Sequence, residues 1–175
     1  METAPEGPPR TRFGLWFAIV VVVGTVAMWV YLFFLADPNV PDQLEDDAFV
    51  EQAEAVCAAT IDRIDALPAA QDAETPEDRG ATVSEANELL AQMVQDLRAI
   101  APANEHDAPL VEAWLADWDT FLGDRAAYAE DLLAGDEDAE LLVTARGNAG
   151  GQITVTLDHF ANINNIEDCA TPMDA

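Results

Sequence analysis

The feature that most constrains this chain is an uninterrupted apolar stretch near its N-terminus. Residues Gly14 to Leu35 read GLWFAIVVVVGTVAMWVYLFFL, 22 residues without a charged side chain. A helix of that length extends about 33 Å, enough to cross the roughly 30 Å hydrocarbon core of a bilayer. Because a backbone inside lipid finds no water to hydrogen-bond, a single span has to be helical. The stretch therefore predicts a transmembrane helix that contacts membrane lipid over residues 14–35.

The charges that flank this stretch predict its orientation. Arg10 and Arg12 precede it, whereas acidic residues follow it and the next basic residue is Arg63. Since basic residues stay on the cytoplasmic side, we expect the N-terminus in the cytoplasm and the C-terminal segment outside. A cleaved signal peptide is the alternative. Its apolar region would be about 7–15 residues long and end in small residues, whereas residues 33–35 are bulky. We therefore favour an uncleaved signal anchor in the cell membrane.

The rest of the chain divides around the apolar stretch. Residues 1–13 contain three prolines and no apolar periodicity, which predicts a disordered cytoplasmic tail. Residues 36–41 contain two prolines and form a linker, because proline cannot continue the helix. Residues 42–175 then have the size of a single extracytoplasmic domain.

The outer segment is strongly acidic. The whole chain has 34 Asp and Glu against 7 Lys and Arg, a net charge of −27, and it contains no lysine. A nucleic-acid binder needs cations that displace counterions, so nucleic acid is excluded as a partner. The charge would attract cations and basic partners, although an acidic surface also serves simply to stay solvated.

Two cysteines, Cys57 and Cys169, lie in the segment predicted to be outside the membrane. Disulfides persist in that compartment, so we expect the two to be bonded. The loop they close would contribute about 4–5 kcal/mol in the chain-entropy model. Two unrelated thiols, or a bridge between two molecules, are the alternatives.

Apolar periodicity predicts three long helices in the outer domain. The first covers residues 42–67 and ends before a proline. The second covers residues 75–100, with Thr75 as the capping residue and a proline in its first turn. The third starts at Asp107 and stops at Gly135, which has the residue type common after a helix end. The fold class is therefore mainly α, a transmembrane helix followed by a three- to four-helix bundle.

The periodicity changes after Gly135. Residues 140–145 and 152–156 are rich in branched side chains and flank a glycine-rich turn, which predicts a short β-hairpin near the C-terminus. A helix that continues through Leu141–Val143 is the alternative. Thr156 is expected to cap a short fourth helix that extends through Ile163.

The third helix carries the aromatic residues that matter most. Trp114 and Trp118 are one turn apart and project the same way, so we expect them in the core. The alternative is that they line a ligand pocket together with His159 from the last helix. Arg125 falls on the same apolar stripe. Because an unpaired buried guanidinium is very costly, we expect a structural ion pair with an acid from another element; anchoring a ligand carboxylate is the alternative.

The sequence contains no catalytic motif. The single serine, Ser84, lies inside a predicted helix without a glycine elbow. His106 and His159 lack the spacing of a zinc site. The acids Asp136–Asp138 with Glu140 lack the pattern of a calcium loop. We therefore predict no enzyme, no metal and no cofactor.

Three motifs accompany the apolar stretch: AVCAAT around Cys57, AWLADWDTFLGDRAAYAEDL in the third helix, and DCATP around Cys169. In this combination the chain resembles a group of uncharacterised single-pass membrane proteins of actinobacteria, over most of the outer domain. The resemblance implies an exported, anchored protein and no particular reaction.

The sequence is compatible with two main functions. The first is a non-enzymatic interaction module of the cell envelope, for example an accessory component of a membrane complex with other membrane or envelope proteins as partners. Gly24, Thr25 and Ala27 are small enough for close contact between membrane helices. The second is a receptor domain for a small ligand or a cation. An enzyme ranks third, since it would need His159 beside two close carboxylates.

Overall fold

The computed structural model describes residues 12–31, 42–146 and 151–172. The chain divides into two compact units, Met1–Asn39 and Val40–Ala175. Several features predicted from the sequence lie outside the described residues. They are the tail before residue 12, the last four residues of the apolar stretch, the linker over residues 36–41 and the centre of the glycine-rich turn.

The first unit contains one described helix, α1, over Arg12–Val30. It begins two residues before the apolar stretch, because arginine and phenylalanine are compatible with a helical backbone. Its described side chains are exposed, among them Trp16 and Trp29. Thr25 donates its hydroxyl to the carbonyl of Val21 at 2.8 Å, as a polar side chain inside an apolar helix commonly does. Across the described residues, no helix combines the length and the apolar character that a membrane span requires.

The second unit starts with α2 over Asp47–Asp65. Oδ1 of Asp46 accepts hydrogen bonds from the backbone N–H groups of Ala48 and Phe49, both at 3.1 Å. This cap satisfies donors of the first turn that have no partner inside the helix. The predicted helix over residues 42–67 is therefore too long at both ends.

The next helix, α3, spans Pro76–Ile100 and begins and ends as predicted. Oγ1 of Thr75 accepts a hydrogen bond from the N–H of Asp78 at 3.1 Å. Gly80, in the first turns, lies where α3 closely approaches the following helix. A Cβ atom at that position would be 3.0 Å from Cβ of Leu132, so only glycine fits without a shift.

The longest helix, α4, spans Asp107–Leu133. Its end confirms the prediction, because Gly135 has a φ of +82° and donates its N–H to the carbonyl of Leu132 at 2.9 Å. Its beginning at Asp107 also agrees with the prediction. Asn104 accepts a hydrogen bond from the N–H of Asp107 at 2.7 Å, so Asp107 lies within the first turn and is not the cap.

The hairpin is present but much shorter than predicted. Strand β1, Ala145–Arg146, pairs antiparallel with β2, Gly151–Gln152. Helix α5, Ile153–Ile163, follows β2 directly, so the predicted second strand over residues 152–156 is wrong. Thr156 lies inside α5 and does not cap it. The alternative helix through Leu141–Val143 is also wrong, because these residues have no regular structure.

Tertiary packing explains why the branched residues at the start of α5 are helical. Ile153, Leu157, Phe160 and Ala161 recur at helical spacing, and all four side chains are buried. Burial of this face outweighs the local preference of branched residues for strands.

The helices of the second unit pack side by side, and the end of this unit packs back on α2. Helix α3 packs against α2 and most extensively against α4, and α5 packs against α4. The structure confirms the mainly helical fold and the disulfide: Cys57 in α2 is bonded to Cys169, in a 3-10 turn that packs on α2. The largest side chains of the core come from α2, α3, α4 and α5: Phe49, Leu90, Met93, Leu97, Trp118, Phe121 and Leu157.

Candidate functional site

A cleft between α4 and α5 brings together residues that the sequence analysis singled out and residues that it missed. Its volume is about 190 Å³, and its lining includes Trp114, Asp117, Arg146, Thr156, His159 and Phe160. All of these belong to the second unit. The cleft therefore concentrates aromatic, acidic and basic groups on one side of the helical domain.

Two stacked aromatic rings form the apolar part of the cleft. The ring of Trp114 in α4 lies parallel to that of Phe160 in α5, with 4.9 Å between the ring centroids and 21° between the planes. Both side chains are buried. Nε1 of Trp114 is buried and has no hydrogen-bond partner among the described residues. This stacking joins α4 to α5 and presents aromatic surface to the cleft.

An ion pair forms the polar wall. The carboxylate of Asp117 in α4 pairs with the guanidinium of Arg146 in β1. The Asp117 side chain is 11% exposed and the Arg146 side chain 46% exposed, so a nearly buried acid is covered by a half-exposed base. Neither residue was predicted from the sequence. Asp117 could have been found, because it follows Trp114 by three positions and so shares its helix face.

His159 and Thr156 lie on the α5 side of the cleft. They are three positions apart, so they share one face of the helix. His159 is exposed and Thr156 is partly buried. The structure thus brings Trp114 and His159 to one cleft, as the ligand-lining hypothesis requires.

Trp118 does not line the cleft. It is fully buried and makes edge-to-face contacts with Trp114 and Phe121, with ring centroids 6.5 Å and 5.8 Å apart. Trp118 therefore has the core position that its spacing predicted.

Arg125 also lies away from the lining of the cleft, on the buried side of α4. Its Nε donates a hydrogen bond to Oδ1 of Asn87 at 2.6 Å, and its guanidinium carbon is 5.7 Å from the centroid of the Phe121 ring. Burial lowers the pKa of Arg125, and the nearby Tyr128 opposes that effect. The expected ion pair of Arg125 with an acid stays a prediction.

The rim of the cleft includes Asp42, and buried polar groups hold that segment in place. The side chain of Asn164 donates to the carbonyl of Asp42 at 3.1 Å and accepts from the N–H of Leu44 at 2.8 Å. The carboxylate of Asp107, fully buried, accepts from the N–H groups of Glu45 and Asp46 at 3.1 Å and 2.9 Å. The first turn of α4 and the residue that follows α5 thus fix the chain that leads into α2.

These hydrogen bonds determine the charge of Asp107. Burial by itself raises the pKa of its carboxyl, but hydrogen bonds from Asn104 and from the amides of Glu45 and Asp46 favour the ionised form. Together they lower the pKa of Asp107.

Within the described residues, no group of three or more His, Cys, Asp or Glu side chains is placed to hold a metal ion. The acids after α4 form an ordinary exposed turn, in which Oδ1 of Asp136 accepts a hydrogen bond from the N–H of Asp138 at 2.9 Å.

Compared with protein-family models, with curated proteins and with solved structures, the chain has no significant match to any of them. The resemblance to actinobacterial single-pass proteins therefore stays a prediction.

Proposed function

We propose that this protein is an extracytoplasmic interaction module held at the cell membrane by its N-terminal helix. The observation that carries the proposal is the Cys57–Cys169 disulfide, which joins α2 to the end of the described chain. Structural disulfides persist mainly in oxidising compartments. The bond therefore supports an outer location for the helical domain.

The exposed side chains of α1 support the membrane anchor. Trp16, Val20, Val23 and Trp29 are among the apolar side chains that it exposes. Leaving such surface in water costs about 25 cal/mol for each Å², so a helix of this composition is stabilised by lipid or by another apolar helix. The apolar stretch of the sequence also continues beyond Val30, through Leu35.

The charge of the domain and the size of the cleft support an interaction role. Subtracting the acids and arginines of residues 1–41 from the chain totals leaves 31 acids against 5 arginines for residues 42–175. Such a surface attracts basic partners and repels anionic ones. The cleft, at about 190 Å³, is smaller than the roughly 300–1,000 Å³ of typical small-molecule pockets. Its size suits one side chain of a partner protein.

Identification of co-purifying proteins tests this function. The tagged full-length chain would be extracted from membranes in a mild detergent, with cells that lack the tag as the control. We expect one or more membrane or envelope proteins with a basic exposed segment to co-purify. Recovery of the chain alone, as a monomer, would contradict the proposal.

A receptor for a small organic cation is the second candidate. The stacked Trp114 and Phe160 rings beside the Asp117 carboxylate favour it, because aromatic faces and a carboxylate together attract cations. A ligand that binds only the folded state of a protein raises the melting temperature of that protein. For this candidate we expect choline or arginine amide, at millimolar concentration, to raise the melting temperature, and an unchanged melting temperature would exclude it.

A further inference from the structure

We infer that the cleft receives an arginine or lysine side chain from a basic segment of a partner protein, with Asp117 as its counter-ion and in competition with Arg146. The inference rests on the proposed interaction function and names the class of partner. It follows from three features of the cleft: a nearly buried carboxylate, a half-exposed cation that covers it, and aromatic surface beside both.

The carboxylate needs a cation because it is almost removed from water. A buried carboxylate without a partner is strongly disfavoured, and Arg146 supplies the partner from the solvent side. The site therefore already binds a guanidinium, one that belongs to the same chain. A guanidinium or ammonium group from a partner would have the same chemistry.

Arg146 is held less firmly than the carboxylate. Asp117 lies on a 27-residue helix, whereas Arg146 lies on a strand of two residues that pairs, within the described part of the chain, with one other strand. A two-stranded hairpin by itself is marginally stable in water. Release of the Arg146 side chain from Asp117 would therefore cost little backbone structure.

The surroundings of the pair suit a cation better than an anion. Trp114 and Phe160 offer aromatic surface, which attracts cations, and Asp42, a second acidic residue, also lines the cleft. An anionic ligand that engaged Arg146 would instead leave Asp117 without its cation. It would also have to approach a chain with a net charge of −27. These charges point to a basic occupant.

The test measures peptide binding to the full-length chain in nanodiscs of zwitterionic lipid. The probe is a fluorescent tetra-arginine peptide, and its tetra-citrulline counterpart replaces each guanidinium by a neutral urea. We expect the citrulline peptide to bind at least about tenfold more weakly, since loss of a partly buried charge pair commonly costs that much or more. Equal binding of the two peptides would overturn the inference.

Two substitutions in the cleft are expected to have opposite effects. Asp117→Asn removes the counter-ion and should weaken binding of tetra-arginine at least about tenfold. Arg146→Gln removes the internal competitor and should strengthen binding by about threefold or more. An anion site would show the reverse pattern, so weaker binding by Arg146→Gln would overturn the inference.

The chain offers a matched control pair, whose acid lies on the same helix as Asp117. Arg98 and Asp119 form an ion pair outside the cleft, with side chains that are 44% and 55% exposed. Asp119→Asn and Arg98→Gln change the net charge as the cleft variants do, and each should alter binding by less than about twofold. An equal loss with Asp117→Asn and Asp119→Asn would show general attraction to an acidic surface and would overturn the inference.

A further variant decides the matter if Asp117→Asn does not fold. Ala113 is exposed and lines the cleft, so Ala113→Phe fills the cleft from the helix surface without changing a charge. It should abolish the preference for arginine over citrulline and leave the melting temperature of the domain nearly unchanged. A retained preference in a folded Ala113→Phe chain would overturn the inference.

The inference and the proposed function can fail separately. If basic membrane proteins co-purify but the cleft variants bind the peptides like the parent chain, the inference is wrong and the interaction function remains. If the chain is recovered alone while the variants behave as expected, the proposed function is wrong although the cleft binds cations.

Discussion

The buried carboxylate of Asp107, in the first turn of α4, accepts a 2.9 Å hydrogen bond from the backbone N–H of Asp46, the residue that caps α2. It also accepts from Glu45 at 3.1 Å and from Nδ2 of Asn104 at 3.0 Å. One side chain thus fixes the start of two helices. We therefore expect a large effect from its loss.

Asp107→Asn should lower the free energy of unfolding by about 2 kcal/mol or more, since hydrogen bonds to a charged group contribute about 1.5–3 kcal/mol each. Urea unfolding of the full-length chain in micelles, followed by near-UV circular dichroism, measures the change. Asp119→Asn on the exposed side of the same helix should change it by less than about 0.5 kcal/mol. Equal effects of the two substitutions would show that the contacts of Asp107 with backbone amides do not contribute to the free energy of unfolding.

Asp107 also predicts a dependence of stability on pH. Its pKa is lowered in the folded chain, whereas an unfolded Asp has a pKa of about 3.9. The contribution is therefore complete above about pH 4–5 and is lost as the pH falls through the folded value. Unfolding curves measured down to pH 2.5 should lose stability less steeply for Asp107→Asn than for the parent chain. Parallel curves would contradict the lowered pKa.

The contribution of Glu54 to stability should depend on pH in the opposite direction to that of Asp107. Burial raises the pKa of its carboxyl, and the nearby Asp168 and Glu167 carboxylates raise it further, although a backbone hydrogen bond from Asp168 opposes them. A raised folded pKa stabilises the fold at low pH, and this contribution is lost as the pH rises through the folded value. Glu54→Gln should therefore raise the melting temperature at pH 7 more than at pH 4.

The control for Glu54 is Glu51→Gln, an exposed position on the same helix with the same change of charge. It should raise the melting temperature at pH 7 less than Glu54→Gln does. The same increase for both would assign the effect to the net charge of the chain.

The disulfide should contribute strongly to stability. In the chain-entropy model a bond that closes a loop of about 110 residues stabilises the fold by about 4–5 kcal/mol. We expect the double substitution Cys57→Ala and Cys169→Ala to lower the free energy of unfolding by about 3–5 kcal/mol. A reductant should destabilise the parent chain and leave the double variant unchanged. If a reductant leaves the midpoint of the unfolding transition of the parent chain unchanged, this prediction is contradicted.

Arg125 is expected to stabilise the domain from inside. It is fully buried in α4 and donates to Asn87 of α3, so Arg125→Ala leaves a cavity and an unsatisfied amide. We expect a loss of about 2–4 kcal/mol. Arg63→Ala, on the exposed face of α2, is the matched control and should cost less than about 0.5 kcal/mol. An unchanged melting temperature of Arg125→Ala would remove the structural role.

Local signals account for the parts of the fold that could be predicted. Thr75 followed by a proline fixed the start of α3, and Gly135 fixed the end of α4, because helix ends are decided by a few neighbouring backbone and side-chain groups. The two cysteines had only one partner each within the chain, so the disulfide was predictable too.

The features that were missed depend on contacts between distant parts of the chain. Nothing near Arg146 in the sequence indicates that it meets Asp117, because the contact depends on where the tertiary fold places β1 relative to α4. The sequence around Asp107 predicts the start of a helix but not its contact with Asp46, which is 61 positions away. Distant contacts also explain why the predicted second strand is wrong. Burial of one face of α5 outweighs the local preference of branched residues for strands.

The most direct test of the central claim is the side of the membrane on which the acidic domain lies. Asp136→Cys places a thiol in the exposed turn after α4, and Glu6→Cys places one before the apolar stretch. With a maleimide that does not cross membranes, we predict labelling of Asp136→Cys in intact cells and of Glu6→Cys only after permeabilisation. Two results would contradict the account. In the first, Glu6→Cys is labelled in intact cells and Asp136→Cys is protected. In the second, both variants are protected and the chain is recovered from the cytosol.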